Sequence, residues 1–197
     1  TTNAPFDRYM RGDATAMTEQ QIRGMDTFQR MGCANCHSGP MFSDYKTHVL
    51  GVGENGKLAA ADTGADNRYA FRTPSLRNLR YTAPYMHNGT LASLDDVLNF
   101  YNRVGGRGGR GGRGGRFGPA GPGQPPPPAP GAQPAANFQG RGGFGRGGRG
   151  TQNPNVNRQD LDPLLQQVNV RGGRQDVIAF LDALNDPDFD RTIPAAV

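Results

Sequence analysis

Residues 33–37 read Cys33-Ala34-Asn35-Cys36-His37, and the reading of these five residues decides the fold. C-x-x-C-H is the signature of covalent c-type haem attachment. Two thiols one helical turn apart can each add to a haem vinyl group, and the histidine that follows is then held beneath the iron as its axial ligand. Two other chemistries use paired cysteines. A structural zinc site needs two further ligands at similar spacing, and the chain has only these 2 cysteines. A thioredoxin-like redox pair is preceded by a strand and followed by a helix. Here a helical pattern comes before the motif and a Ser38-Gly39-Pro40 turn comes after it.

Working outward, the stretch before the motif predicts a helix from Thr18. Thr18 caps it, with Gln21 three residues on in a capping box, and Ile22, Met25, Phe28 and Met31 form one apolar face. Gly24 interrupts that helix at a cost of about 1 kcal/mol relative to alanine. The expected reason is a close crossing with the last helix, which only a residue without Cβ permits. Residues 1–17 read as an extended lead-in with a turn at Arg11-Gly12-Asp13, a triplet that is more often simply a turn than an adhesion signal. After the motif, loops are expected to about residue 70. Met41 and His48 lie in them, and each is assigned a surface or packing role, although both side chains can bind iron. Residues 71–91 read as an ordered loop of the kind that wraps a cofactor. A second helix, capped by Ser93 and carrying Asp95 and Asp96 in its first turn, places Leu94, Val97, Leu98 and Tyr101 on one face. A last helix runs from about Gly173 to Asn185, with Val177, Ile178, Phe180, Leu181 and Leu184 facing inward and Asp186-Pro187 as its stop.

Between these helices lies a different composition. Residues 105–150 hold 19 of the 30 glycines, 8 of the 16 prolines and 7 arginines, with no acidic residue. Arg-Gly-Gly repeats flank a rigid run from Pro125 to Pro128. This insert carries +7 against a formal charge of +5 for the whole chain, so the remainder is about −2 and the basic balance belongs to the insert rather than to the fold. Arginine with phenylalanine suits single-stranded nucleic acid. A haem c protein works outside the cytoplasm, which favours an anionic surface or acidic partner over nucleic acid. The plainest reading of the insert is a tolerated loop expansion with no partner. The remaining 151 residues suffice for one compact domain around a buried cofactor. No run of 18 apolar residues is present to span a membrane. Because haem c is attached outside the cytoplasm, a periplasmic or otherwise extracytoplasmic location is expected, and the chain is expected to be a mature or trimmed form of a parent that carried a signal peptide.

The run from Phe6 to about Val104 and the tail from Asp162 to Pro194 resemble the C-terminal haem domain of bacterial di-haem cytochrome c peroxidases and MauG-type enzymes. The matching stretches are FDRYMRGD, GCANCHSGPMFSD, FRTPSLRN, TAPYMHNGTLASLDDVLNFYNR and DVIAFLDALNDPDFD. The resemblance implies an all-α, cytochrome c-like haem domain spanning 18–104 and 151–197, with long ordered loops, residues 1–17 as the end of a missing N-terminal haem domain, and 105–150 as an insert without counterpart. It implies one covalent haem c on Cys33 and Cys36, with His37 as proximal ligand, and His87 and Arg77 beside the cofactor. It further implies Thr82 and Pro84 as backbone-carbonyl donors to a calcium ion. The distal axial position falls on Tyr101, where peroxidases of the family usually have methionine and MauG-type enzymes have tyrosine. Met86 is the nearby alternative.

The function implied is electron transfer to or from a peroxide-reactive haem in a missing domain or partner, within a cytochrome c peroxidase-like enzyme whose peroxidatic site lies outside this chain. The single C-x-x-C-H and the lack of tryptophan are departures from the family. They keep a second reading open: a mono-haem carrier or structural cytochrome subunit of an oligomer or larger assembly, without peroxidase activity. A third reading makes the arginine-glycine insert the functional part, as an interaction module.

Overall fold

The computed structural model describes residues 3–105 and 153–189. Contacts group the chain into two units, Thr1–Gly109 with Gly150–Val197, and Arg110–Arg149. The second unit, and all of the insert except Gly105, lies outside the described residues. So does Pro194, where the family resemblance ends.

Among the described residues four helices frame the first unit: α1 (Pro5–Met10), α2 (Glu19–Arg30), α3 (Leu94–Val104) and α4 (Arg174–Asp182). The capping box of α2 forms as its sequence requires. The Gln21 amide donates to Thr18 Oγ1 at 3.2 Å, and the Thr18 amide donates to Gln21 Oε1 at 2.8 Å. Ser93 caps α3 by accepting from the Asp96 amide at 3.1 Å. α2 and α4 cross at Gly24, where a Cβ would collide with the Asp176 carbonyl oxygen and lie 2.8 Å from the Phe180 Cβ. The expected crossing is therefore present, and hydrogen in place of a side chain is what permits it.

Two expectations are corrected. The lead-in is not extended throughout: Pro5 opens α1, and proline at the first helical position costs nothing because its missing N–H would have had no helical partner. The fold is also not purely helical. β1 (Thr47–Val49) pairs antiparallel with β2 (Ala70–Arg72), in the register His48 to Phe71. Three-residue strands fall below what periodicity can detect, and only their pairing across the intervening loop makes them strands. Short 3₁₀ turns at Cys33–Asn35, Leu79–Tyr81, Arg158–Asp160 and Pro163–Gln167 complete the frame.

The core runs between α2, α3 and α4. Phe100, Phe180, Val177 and Leu184 are fully buried. Phe6, Phe28, Phe42 and Phe180 meet edge to face, with ring centroids 5.1 to 6.3 Å apart, the arrangement that the ring quadrupoles favour. This aromatic cluster anchors α1 and the loop after the C-x-x-C-H motif to the crossing of α2 and α4.

Candidate haem site

A cavity of about 420 Å³ opens between the C-x-x-C-H turn, β2, the loop around residues 82–87, α3 and the segment 162–170. That volume lies within the range of about 300–1,000 Å³ typical of small-molecule and cofactor sites. Its wall is mostly aliphatic and aromatic, with Leu50, Val52, Leu76, Val97 and Leu98 among the lining residues. Cys33, Cys36, His37, His87, Met86, Thr82, Pro84 and Tyr101 all line it as well. Residues far apart in the sequence thus share one space.

The proximal end is built by local structure. α2 ends at Arg30, Gly32 reverses the chain with φ of 82°, and the 3₁₀ turn over Cys33–Asn35 presents both thiols. Neither cysteine is in a disulfide. Burial pushes the Cys33 thiol up to about 11, and burial together with the charges of Asp44 and Asp162 pushes Cys36 up to about 11. Both are therefore neutral thiols at ordinary pH. His37 Nδ1 stands 3.0 Å from the Phe42 carbonyl oxygen. Only an N–H can bridge to that oxygen, so the proton sits on Nδ1 and the lone pair on Nε2, the tautomer that an axial imidazole needs. Burial lowers the His37 pKa, which keeps the ring neutral.

The distal side comes from α3. The face predicted for Leu94, Val97, Leu98 and Tyr101 lines the cavity, while Phe100 and Val104 pack into the core on another face. Burial, and then the nearby cysteines, push the Tyr101 phenol well above its usual range. Among the described residues its hydroxyl has no hydrogen-bond partner. Tyr101 thus brings a phenol oxygen to the lining of a mostly apolar cavity. Met86, at φ 70°, lines the same cavity. His87 stacks flat on Phe71, with centroids 3.5 Å apart and planes 10° from parallel, and burial lowers its pKa.

The donor set fits a covalent haem c. Two unpaired thiols, an imidazole with one nitrogen already committed, and an apolar wall carrying an unpartnered phenol meet its chemical needs. Among the described residues no group of potential metal ligands contains both cysteines. Among the described residues the one group of potential metal ligands is Cys36, Asp44 and His48, without Cys33.

Two assignments, Arg77 and His48, look different in three dimensions, while Met41 takes the surface role expected of it. Arg77 does not line the cavity. Its guanidinium pairs with Asp7 at 2.8 Å, donates to the Pro40 carbonyl at 2.8 and 3.0 Å, and lies over the Phe6 and Phe42 rings. It joins α1 to the loop after the haem motif. Met41 is exposed and stands outside the cavity. His48 is buried, 7% exposed, and lines the cavity between two carboxylates. Sequence reading also gave no site role to Leu164, Leu165, Val168 and Val170, which close one wall. Their apolar spacing after the insert was the available signal.

No family model matches the chain. Over 137 residues it is 41% identical to cytochrome-c peroxidase IdrP2 of Denitromonas iodatirespirans, covering 53% of this chain and 37% of that protein. It is 44% identical over 108 residues to methylamine utilization protein MauG of Methylorubrum extorquens, covering 52% of this chain and 30% of the relative. Over about half its length the chain is thus similar to cytochrome c peroxidases and to MauG. A crystal structure of a MauG-like protein associated with microbial copper homeostasis matches 95% of this chain and 49% of its own, with a TM-score of 0.58 and 24% identity. That likeness is one of fold, consistent with a cytochrome c-like domain. The chain spans 37% and 30% of the lengths of the two curated relatives.

Proposed function

We propose that this chain is the haem c electron-transfer domain of a di-haem peroxidase-like oxidoreductase, exchanging electrons with a peroxide-reactive haem in another domain or partner. The observation that carries the proposal is one apolar cavity that brings Cys33, Cys36 and His37 of the haem motif together with Tyr101 of α3. Bound there, the haem supplies one-electron redox chemistry. The chain's own residues do the rest. Cys33 and Cys36, both free thiols, would hold the haem through thioether bonds to its vinyl groups, and His37 would ligate its iron. The Phe42 carbonyl fixes the His37 tautomer and aims Nε2 inward. The apolar side chains of α3 and of the segment 162–170 would limit the access of water to the haem. Tyr101 is the proposed distal ligand, with Met86 the alternative, and Thr82 and Pro84 are the proposed carbonyl donors to calcium. Among the described residues no helix is long and apolar enough to cross a membrane. We assign the chain an extracytoplasmic location because haem c is attached there.

A second reading, a mono-haem carrier or structural subunit without peroxidase activity, draws on the single C-x-x-C-H of the chain. Both readings require covalent haem. The test is the double variant Cys33→Ala/Cys36→Ala, produced alongside the parent in a host that matures c-type cytochromes. On a denaturing gel stained for haem, the parent band is expected to stain and the variant band to stay dark. A parent that loses its haem on denaturation sinks the proposal.

A further inference from the structure

The cavity wall contains a charged group that haem attachment does not use. His48, on β1, stands with Nε2 2.9 Å from Asp44 Oδ2 and Nδ1 2.6 Å from Asp162 Oδ2. Carboxylates only accept hydrogen bonds, and a neutral imidazole has one N–H. Both contacts are satisfied only when both ring nitrogens carry protons. The geometry therefore defines an imidazolium held between two carboxylates. If the proton leaves, a nitrogen lone pair faces a carboxylate lone pair at less than 3 Å.

This group lies beside the haem attachment point. The Cys36 sulfur and the ligand atoms of Asp44 and His48 all lie within 4.8 Å of one another. His48 and Asp162 line the cavity, whereas Asp44 does not. The carboxylates keep 14% and 19% of their side-chain surface exposed against 7% for His48, so the buried ring has two routes to solvent protons. The charged and titratable groups that act on this cluster are Asp44 and Lys46 before the strand, Asp162 from the far segment, and Cys36 and His37 from the haem motif. Thr73, the residue after β2, donates its hydroxyl to the Lys46 carbonyl at 3.4 Å beside this cluster. Burial alone would lower the His48 pKa, but the hydrogen bonds and charges of Asp162 and Asp44 outweigh it and raise it.

We infer that the Asp44–His48–Asp162 cluster is a proton site linked to the oxidation state of the haem. The inference rests on the haem reading above. One electron from a one-electron donor protein lowers the charge of the iron centre by one unit. In the pH range where His48 is neutral in the oxidised protein, one solvent proton binds the ring and restores the local charge. On reoxidation the electron and the proton both leave. No covalent bond other than N–H is made or broken. The low dielectric of the cavity wall is what lets two charges so placed sense each other.

Spectroelectrochemical titration of the haem-loaded chain against pH tests this, with the electrode supplying the electrons. The parent midpoint is expected to fall with rising pH across a window above the ordinary histidine range, with a limiting slope of about 59 mV per pH unit, the one-electron equivalent of a tenfold change. His48→Gln is expected to lose that window and, at neutral pH, to show a midpoint below that of the parent. Asp162→Asn and Asp44→Asn are expected to move the window to lower pH, because each removes an acceptor that holds the proton. The histidine resonance of the cofactor-free chain, followed by NMR, is expected to titrate above its usual range and to move down in both asparagine variants. A parent midpoint flat with pH, or a slope that persists in His48→Gln, overturns the inference. If His48→Gln does not fold, an unmoved window in both asparagine variants overturns it equally. A parent without covalent haem is recognised first on the stained gel and takes down the haem reading and this inference together.

Discussion

Tyr101 is where one side chain decides the chemistry of the proposed centre. Its phenol is pushed up by burial, so without a cation in the cavity it stays protonated. Bound ferric iron would reverse that balance, as metal ions do for other oxygen and sulfur ligands. An anionic oxygen favours the higher oxidation state. Tyr101→Phe is therefore expected to change the ferric coordination or spin state in the absorption spectrum and to raise the midpoint potential. An unchanged ferric spectrum would move the ligand to Met86. The same residue shows how far a local pattern reaches. Helical spacing placed Tyr101 with Leu94, Val97 and Leu98, and all four do face the cavity. Spacing could not say that the hydroxyl would lack a protein partner. His48 is the opposite case. The sequence assigned it a surface or packing role, and only the arrival of Asp162, 114 residues away, turns it into a charged centre.

At the scale of elements, the frame rests on the contact of α2 with α4. Gly24 supplies the space, and the Asp176 backbone and Phe180 occupy it. Gly24→Ala improves helix propensity but forces the two backbones apart. Overpacking of this kind costs about 1–3 kcal/mol, a few degrees in Tm for a chain of this size. Thermal unfolding of the variant is expected to show that loss, and an equal or higher Tm would mean that the crossing yields freely. Strong local signals marked α2 and α3: capping residues, acidic first turns and an apolar stripe. α1 and the β1–β2 pair had none. A six-residue helix and two three-residue strands are too short for a period to accumulate, and packing against Phe42 and Phe180 or pairing across a loop stabilises them instead.

At the scale of the whole molecule, the chain matches only part of its relatives: 37% of the length of one peroxidase and 30% of one MauG. The proposed electron-transfer role therefore predicts that the haem-loaded chain alone turns over hydrogen peroxide no faster than a simple c-type cytochrome. Supplying a separate protein that carries a peroxide-reactive haem is expected to restore turnover if the two exchange electrons. Steady-state peroxide consumption measures both. Rapid turnover by the chain alone would place the reactive haem here and remove the need for a second one.

The sequence by itself determined the haem-attachment motif, the helix caps and the family likeness, because C-x-x-C-H and the caps act over a few residues, where spacing along the chain equals spacing in space. It also marked Gly24 as a crossing point, since an interior glycine in a helix needs a packing reason. Tertiary structure alone decided that Arg77 holds α1 in place rather than facing the cavity, that the segment after residue 161 closes the cavity wall, and that His48 is locked between Asp44 and Asp162. These outcomes depend on which distant segments meet. Meeting is set by burial of apolar surface over the whole domain, and no local pattern records it.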